Sequence, residues 1–142
     1  MEVTIFLNHV CNLDCSYCYN GRKFDSPMPI QIIEKAVDLA FSKGRPCILF
    51  FGGEPLLEFE GIKKAVACAH ALEAKRRTER ALFSVTTNGT LLNPEHVRFF
   101  RDEPFNVIVS IDGCKEAHDA NRRSTDGGSS FEQVVENLNF AL

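Results

Sequence analysis

The sequence predicts an α/β fold in which four strands alternate with four helices, in the order βαβαβαβα. Strand-like apolar segments alternate along the chain with segments in which apolar residues recur at every third or fourth position, the spacing of an amphipathic helix. The strand predicted at residues 47–51 is apolar at every position, which is typical of a parallel strand buried on both faces. The order corresponds to about half of an eight-stranded barrel, or two thirds of a six-stranded open one.

The first half of the chain contains two strand–helix units. The first strand is predicted at residues 3–7, and the first helix begins at Pro29 and ends before Gly44. Proline suits the first turn of a helix, and glycine suits the position just beyond its last turn. The second strand, residues 47–51, stops at the polar segment 52–55. The helix that follows is predicted to bury one face, made of Phe59, Ile62, Val66, Ala69 and Leu72.

The second half of the chain repeats this alternation. Strands are predicted at residues 82–87 and 107–111, and Asn93 is expected to cap the helix between them. The last helix is predicted to begin at Ser130, whose spacing to Gln133 is that of a capping box. Its apolar stripe consists of Val134, Val135, Leu138 and Leu142.

Composition favours one folded domain over the whole chain, residues 1–142. Apolar residues make up 44% of the sequence and charged residues 25%, which argues against intrinsic disorder. The formal charge of −3 argues against nucleic acid or an anionic membrane as a partner. The sequence contains no apolar run of membrane-spanning length and no signal-peptide layout, so we expect a cytoplasmic protein.

Three cysteines form the most unusual segment of the chain. Cys11, Cys15 and Cys18 are spaced C-x3-C-x2-C on a loop that follows the first strand. Iron–sulfur clusters are held by thiolates, usually four, so three thiolates can hold a cluster and leave one iron free for another ligand. The other three cysteines lie far apart and are predicted to be buried free thiols: Cys47, Cys68 and Cys114.

Each predicted strand ends in a polar segment. These are the cysteine loop, then Gly52-Gly53-Glu54-Pro55, then Thr86-Thr87-Asn88-Gly89, and last Ser110-Ile111-Asp112-Gly113. In parallel α/β folds the carboxyl ends of the strands meet on one face, where ligands bind. We therefore expect the four segments to converge on one site. Within them, Asp112 is interpreted as a turn residue, and an acid at the start of a helix is an alternative interpretation of Glu54.

The cysteine spacing, with Tyr17 before the last cysteine, resembles the radical S-adenosylmethionine (SAM) superfamily. The segment 52–55 is similar to the GGE motif of that family, and the likeness extends from Cys11 to the last helix. It is greatest to the SPASM-type enzymes that modify peptides and proteins, such as the anaerobic sulfatase-maturating enzymes. The resemblance implies a partial (β/α) barrel of about four units, truncated. Residues 1–142 would be the N-terminal portion of a radical SAM core domain that lacks later strands and a cysteine-rich extension.

The resemblance also implies cofactors and their ligands. Cys11, Cys15 and Cys18 would bind a [4Fe-4S] cluster, and SAM would chelate its fourth iron. Gly52, Gly53 and Glu54 would contact the SAM ammonium. Ser110 and Arg122 would hold the ribose and carboxylate, with Arg123 as a rival for the second role. Tyr17 would lie near the adenine, and Asn88 would line the nucleoside pocket.

The reaction implied by the family is a reductive cleavage of SAM to methionine and a 5′-deoxyadenosyl radical, which abstracts hydrogen from a substrate. A peptide or protein substrate and a flavodoxin- or ferredoxin-like reductant would be the partners. Two alternatives stay open. One is a structural zinc or scaffold module in which His9 joins the three cysteines, since closed zinc sites use Cys3His ligand sets. The other is an inactive binding fragment.

Overall fold

The computed structural model describes residues 1–139, and its elements alternate as the sequence predicts. The strands are β1 (Glu2–Phe6), β2 (Leu13–Cys15), β3 (Cys47–Phe51), β4 (Leu82–Thr87), β5 (Phe105–Val109) and β6 (Arg122–Ser124). The helices are α1 (Ile30–Ala40), α2 (Phe59–Arg76), α3 (Pro94–Asp102), α4 (Lys115–Asn121) and α5 (Ser130–Leu138), with a 3₁₀ turn at Pro55–Glu58 before α2. Leu142, placed in the last apolar stripe by the sequence, lies outside the described residues.

The main sheet contains four parallel strands in the order β1-β3-β4-β5, which is also their order along the chain. This arrangement confirms the four predicted strand–helix units. Consecutive parallel strands require a crossover, and α1, α2 and α3 are the helices that make the three crossovers. The carboxyl ends of all four strands consequently lie at one edge of the sheet, together with the loops that follow them.

The core lies between one face of the sheet and the helices. Its strand residues are Ile5, Ile48, Phe50, Phe83 and Val85, and its helix residues include Val37, Ile62 and Ala65, all of them buried. Full burial of such a side chain contributes about 1.5–3 kcal/mol to stability. The prediction that residues 47–51 are buried on both faces is wrong. Leu49 and Phe51 are only partly buried, because the helices cover just the face that bears Ile48 and Phe50.

Two strand boundaries and one helix cap differ from the prediction, and the first strand, Glu2–Phe6, lies one residue earlier than expected. The fourth strand of the sheet runs from Phe105 to Val109, two residues earlier than expected, because the Phe105 ring stacks 5.1 Å from that of Phe83 on β4. The cap of the last helix is Ser129, whose hydroxyl accepts from the Glu132 N–H, whereas the Ser130 hydroxyl donates to the Arg122 carbonyl. The predicted Asn93 cap of α3 is confirmed by its bonds to two backbone N–H groups.

A short antiparallel ribbon and α4 were not predicted. In the ribbon β2 pairs with β6, so that Cys15 lies opposite Arg122. Strands of three residues carry no periodic signal, and α4 is a polar helix of seven residues without an apolar stripe. The ribbon positions the functional site, since it joins the cysteine loop to a segment near the end of the chain. None of the helices within residues 1–139 is long and apolar enough to cross a membrane.

Two glycines allow the end of β3 to pass directly beneath the loop after β1. The Gly53 N–H donates to the Asn8 carbonyl at 3.0 Å, and the Glu54 N–H donates to the Val10 carbonyl at 2.9 Å. A Cβ atom on Gly53 would lie 2.0 Å from the Val10 oxygen, and one on Gly52 would lie 2.4 Å from the Asn8 oxygen. Any side chain here would therefore push two backbone segments apart.

We expect Gly53→Ala to lower the free energy of unfolding by about 3 kcal/mol, the upper end of the usual overpacking cost, because its clash is with backbone that cannot rotate away. The matched control is Gly61→Ala in α2, where the new Cβ would make an ordinary contact 3.4 Å from Leu7. In that variant the free energy of unfolding should stay unchanged or rise by about 0.5–1 kcal/mol, because alanine has the higher helix propensity. Urea unfolding of both variants measures the difference, and equal effects would contradict this account.

Candidate functional site

One cavity lies at the carboxyl ends of the sheet strands and collects the segments that the sequence singled out. Nine of the ten predicted site residues line it: Cys11, Cys15, Tyr17, Cys18, Gly52, Gly53, Asn88, Ser110 and Arg122. Residues that were not singled out individually complete the wall, namely Leu13, Tyr19, Asn20, Phe51, Thr86 and Thr87. The tenth predicted residue, Glu54, lies behind this wall. The expected convergence of the four polar segments is thus present in the structure.

The cysteine loop presents three free thiols to this cavity. Burial raises the pKa of the Cys11 and Cys15 thiols. Cys11 receives two N–H donors, from the Leu13 backbone at 3.4 Å and from the Asn88 side chain at 3.7 Å. Within residues 1–139, no three His, Cys, Asp or Glu side chains are grouped closely enough to hold a single metal ion.

The remaining cysteines and His9 lie elsewhere. Cys47 and Cys68 are partly buried free thiols, while Cys114 is exposed, contrary to the prediction that it is buried, because it stands at the surface where α4 begins. The His9 ring stacks on Phe24 with 4.4 Å between ring centroids. His9 is not part of the cavity wall, so this geometry does not support the zinc alternative, which needed it as the fourth ligand.

Arg122 enters the cavity from β6 and is held there by Asp112. Its Nε–H donates to one carboxylate oxygen of Asp112 at 2.9 Å, and the Tyr17 hydroxyl donates to the other at 2.5 Å. The guanidinium also lies over the Tyr17 ring, 5.3 Å from its centroid. Because the bond to Asp112 uses only Nε–H, the other four N–H donors of the guanidinium can serve a ligand.

The charges in this cluster are mutually stabilised. Burial alone would raise the pKa of Asp112, but hydrogen bonds from Tyr17 and Arg122 outweigh it and lower that pKa. Burial and the bond to Asp112 raise the pKa of Tyr17 to about 12. Desolvation opposes the charge on Arg122, yet the contact with Asp112 leaves its pKa raised. Asp112 and Arg122 therefore form an ion pair at neutral pH, beside a neutral phenol.

Asp112 is the main residue whose role the sequence did not reveal. The sequence pattern indicates a turn residue, whereas in the structure its carboxylate connects the cysteine loop to β6. Its backbone N–H also donates to Nδ1 of His118 at 3.3 Å, a histidine buried on α4. The one available signal was an acidic residue at a strand end shortly before an arginine, which is too common to be decisive.

Arg122 and Arg123 point to different places. Neighbouring residues of a strand alternate between its two faces, and only Arg122 lines the cavity. Arg123 is exposed, lies opposite Asp14 in the ribbon and donates to the Ala120 carbonyl at 3.3 Å. The structure therefore brings Arg122, and not its neighbour, next to the cysteines.

Glu54 is a buried carboxylate, with 1% of the residue exposed. One oxygen accepts from the Leu56 N–H at 2.9 Å and the Thr87 hydroxyl at 2.7 Å, and the other accepts from the Asn88 N–H at 2.7 Å. Burial raises its pKa, against the effect of these three bonds. All three donors belong to the protein, so the carboxylate joins the end of β3 to the end of β4.

Comparisons with known proteins agree with this geometry. The sequence model of the radical SAM superfamily matches residues 5–142 of this chain. The cysteine-type anaerobic sulfatase-maturating enzyme of Clostridium novyi is 32% identical over 144 residues, covering 90% of this chain and 36% of the relative. The serine-type enzyme of Bacteroides thetaiotaomicron is 36% identical over 141 residues, and the match covers 92% of this chain and 33% of the relative. The chain thus spans about a third of the length of these two relatives.

Solved structures show the same fold. One described as native anSMEcpe with bound AdoMet has a TM-score of 0.86 and 27% identity, covering 99% of this chain and 40% of the other. A second, with bound AdoMet and the Cp18Cys peptide, has a TM-score of 0.87 and 28% identity, and the match covers 99% of this chain and 39% of the other. The expected fold class, a partial (β/α) barrel like that of these enzymes, is confirmed.

The contacts of Glu54 predict a large structural effect of its removal. We expect Glu54→Ala to lower the free energy of unfolding by at least about 3 kcal/mol, since three buried donors would lose their acceptor at about 1–3 kcal/mol each. Glu136→Ala is the matched control, because Glu136 is exposed on α5 and its loss should change stability by less than about 0.5 kcal/mol. Chemical unfolding monitored by circular dichroism measures both. Similar values for the two variants would mean that Glu54 does not hold the strand ends.

Proposed function

The chain belongs to the radical SAM superfamily, and from this membership we propose that residues 1–142 form the part of a radical SAM core domain that binds a [4Fe-4S] cluster and SAM. The observation that carries the proposal is the cavity at the strand ends, where three free thiols face a half-buried arginine. A bound and reduced cluster would supply the electron for cleaving SAM to methionine and a 5′-deoxyadenosyl radical, which would remove hydrogen from the substrate.

The three thiols suit such a cluster by their chemistry. Thiolates are the ligands of iron–sulfur clusters, and all three lie on one short loop beside the same cavity. The two N–H donors at Cys11 would offset the negative charge that a thiolate brings into a half-buried site. Cys11, Cys15 and Cys18 are accordingly the proposed cluster ligands.

The other wall residues are assigned to SAM. Arg122 would bind its carboxylate, because a guanidinium held through Nε keeps its terminal nitrogens for a bidentate contact. Ser110 would hold the ribose hydroxyls, Tyr17 would lie near the adenine, and Asn88 would line the nucleoside pocket. The backbone of Gly52 and Gly53 would face the ammonium. Glu54, which the resemblance implies as an ammonium contact, is buried behind the two glycines and accepts three bonds from protein donors, so the role proposed for it here is to position them.

The proposed substrate is a peptide or a protein. The two curated relatives are sulfatase-maturating enzymes, and one similar solved structure holds a peptide together with AdoMet. A flavodoxin- or ferredoxin-like protein is the proposed electron donor, because the reaction consumes one electron from outside. Both partner assignments are inferred from the relatives, which are about three times as long as this chain.

Anaerobic reconstitution tests the cluster. The protein should take up about four irons per chain with labile sulfide, appear brown and bleach in air. Replacing Cys11, Cys15 or Cys18 by alanine should abolish iron uptake, because each lines the cavity. Cys68→Ala is the control and should leave the iron content unchanged, since Cys68 lies on α2. A stoichiometric zinc without sulfide would overturn the proposal.

A binding measurement tests the assignment of Arg122. We expect Arg122→Ala to weaken SAM binding to the reconstituted protein by about 1.5–3 kcal/mol, roughly 10–150-fold, the usual value for a hydrogen bond to a charged group. Arg122→Lys should recover only part of this loss, because an ammonium lacks the planar fork. Arg123→Ala should bind SAM normally, since Arg123 is exposed outside the cavity. The reverse pattern would mean that Arg123 holds the carboxylate.

A further inference from the structure

Asn88 lies at the end of β4 with its side-chain amide beside Cys11. Its Nδ2 atom is 3.7 Å from the Cys11 sulfur and 2.9 Å from Oδ1 of Asn12. An amide nitrogen carries two hydrogens, so it can donate one to the sulfur and one to Asn12 at the same time. The residue is only 8% exposed, which shields these bonds from competition by water.

The orientation of this amide is determined by its other end. Oδ1 of Asn88 accepts from the Thr90 backbone N–H at 2.9 Å. A backbone N–H can only donate, so the oxygen must face Thr90, and the NH2 group must face Cys11. A flipped amide would place two donors against each other and an oxygen against the thiol sulfur.

A closed ring of hydrogen bonds supports the same orientation. Asn88 donates to Asn12, Asn12 donates to the Thr90 hydroxyl at 2.7 Å, and that hydroxyl donates back to Asn88 at 2.7 Å. In this direction, each of the three donors in the ring has an acceptor as its partner. The Thr90 backbone N–H excludes the reverse direction, since that direction requires a donor at the Oδ1 position of Asn88.

The backbone of Asn88 is held as firmly as its side chain. Its N–H donates to the buried carboxylate of Glu54 at 2.7 Å. Asn12, its partner in the ring, directly follows Cys11 on the cysteine loop. The donor and the sulfur are therefore connected through short segments that hydrogen bonds hold together, and their separation is set by the fold.

We propose that Asn88 is a positioning residue that donates a hydrogen bond to the Cys11 thiolate and thereby raises the reduction potential of the bound cluster. The inference rests on the proposed function, because it requires a cluster at Cys11. The external one-electron reductant would supply the single electron of the reduction, and no bond to the protein would be made or broken. An N–H dipole aimed at a ligand sulfur stabilises the more negative, reduced state more than the oxidised one.

The test is a redox titration of the reconstituted protein, followed by EPR of the reduced cluster. Asn88→Ala should lower the midpoint potential, reducing the ratio of reduced to oxidised cluster at a given applied potential by up to about tenfold, which corresponds to about 59 mV for a one-electron couple. Asn88→Asp has the same shape but places a carboxylate oxygen beside the sulfur, so it should lower the potential further. Asn93→Ala removes the cap of α3 without touching the cysteine loop, and it should leave the potential unchanged.

The possible outcomes separate this inference from the proposed function. If the unmodified chain assembles no cluster, the proposed function fails. If it assembles a cluster and both Asn88 variants keep the midpoint potential of the unmodified protein, only the role of Asn88 is overturned. If both variants fold, as judged by circular dichroism, but take up no iron, Asn88 is needed for assembly and the tuning role is likewise overturned. A drop in potential with unchanged iron content supports it.

Discussion

The buried carboxylate of Glu54 is the interaction on which the candidate site depends. The pairing of β3 with β4 ends where Phe50 lies opposite Val85, so ladder hydrogen bonds do not hold the residues beyond that point. Beyond that point Glu54 connects the two strand ends, because it follows β3 and accepts hydrogen bonds from Thr87 and Asn88 at the end of β4. Each of these buried donors would be costly to leave without an acceptor. Two segments of the cavity wall are thereby kept in a constant relative position.

The cysteine loop is attached to this frame from two sides. On one side the N–H groups of Gly53 and Glu54 donate to the Asn8 and Val10 carbonyls, an approach that only glycine permits at residues 52 and 53. On the other side the ribbon of β2 and β6 pairs the loop with Arg122. A loop that is anchored at both ends loses less entropy when it binds a cofactor, so its thiols are organised before binding.

The ion pair of Asp112 and Arg122 gives the cavity a cation whose position is already determined. Asp112 accepts a hydrogen bond from Nε of the guanidinium, and the guanidinium lies over the face of the Tyr17 ring. The low pKa of Asp112 keeps this contact charged at neutral pH. Such an arrangement spares a ligand the cost of ordering a long side chain, which is how a preorganised site gains affinity.

The amino-acid sequence by itself determined the strand–helix alternation, the convergence of the strand ends and most residues of the cavity wall. These features depend on local periodicity, on caps such as Asn93, and on the rule that parallel strands end at one edge. Only the tertiary structure decided the partners of Glu54, the function of Asp112, the ribbon and the choice of Arg122 over Arg123. Each of these depends on a contact between residues far apart in the chain, such as Tyr17 with Asp112 or Cys15 with Arg122. The physical reason is that composition and spacing describe what a segment can form, whereas a hydrogen bond or ion pair forms only where folding places two distant groups within reach.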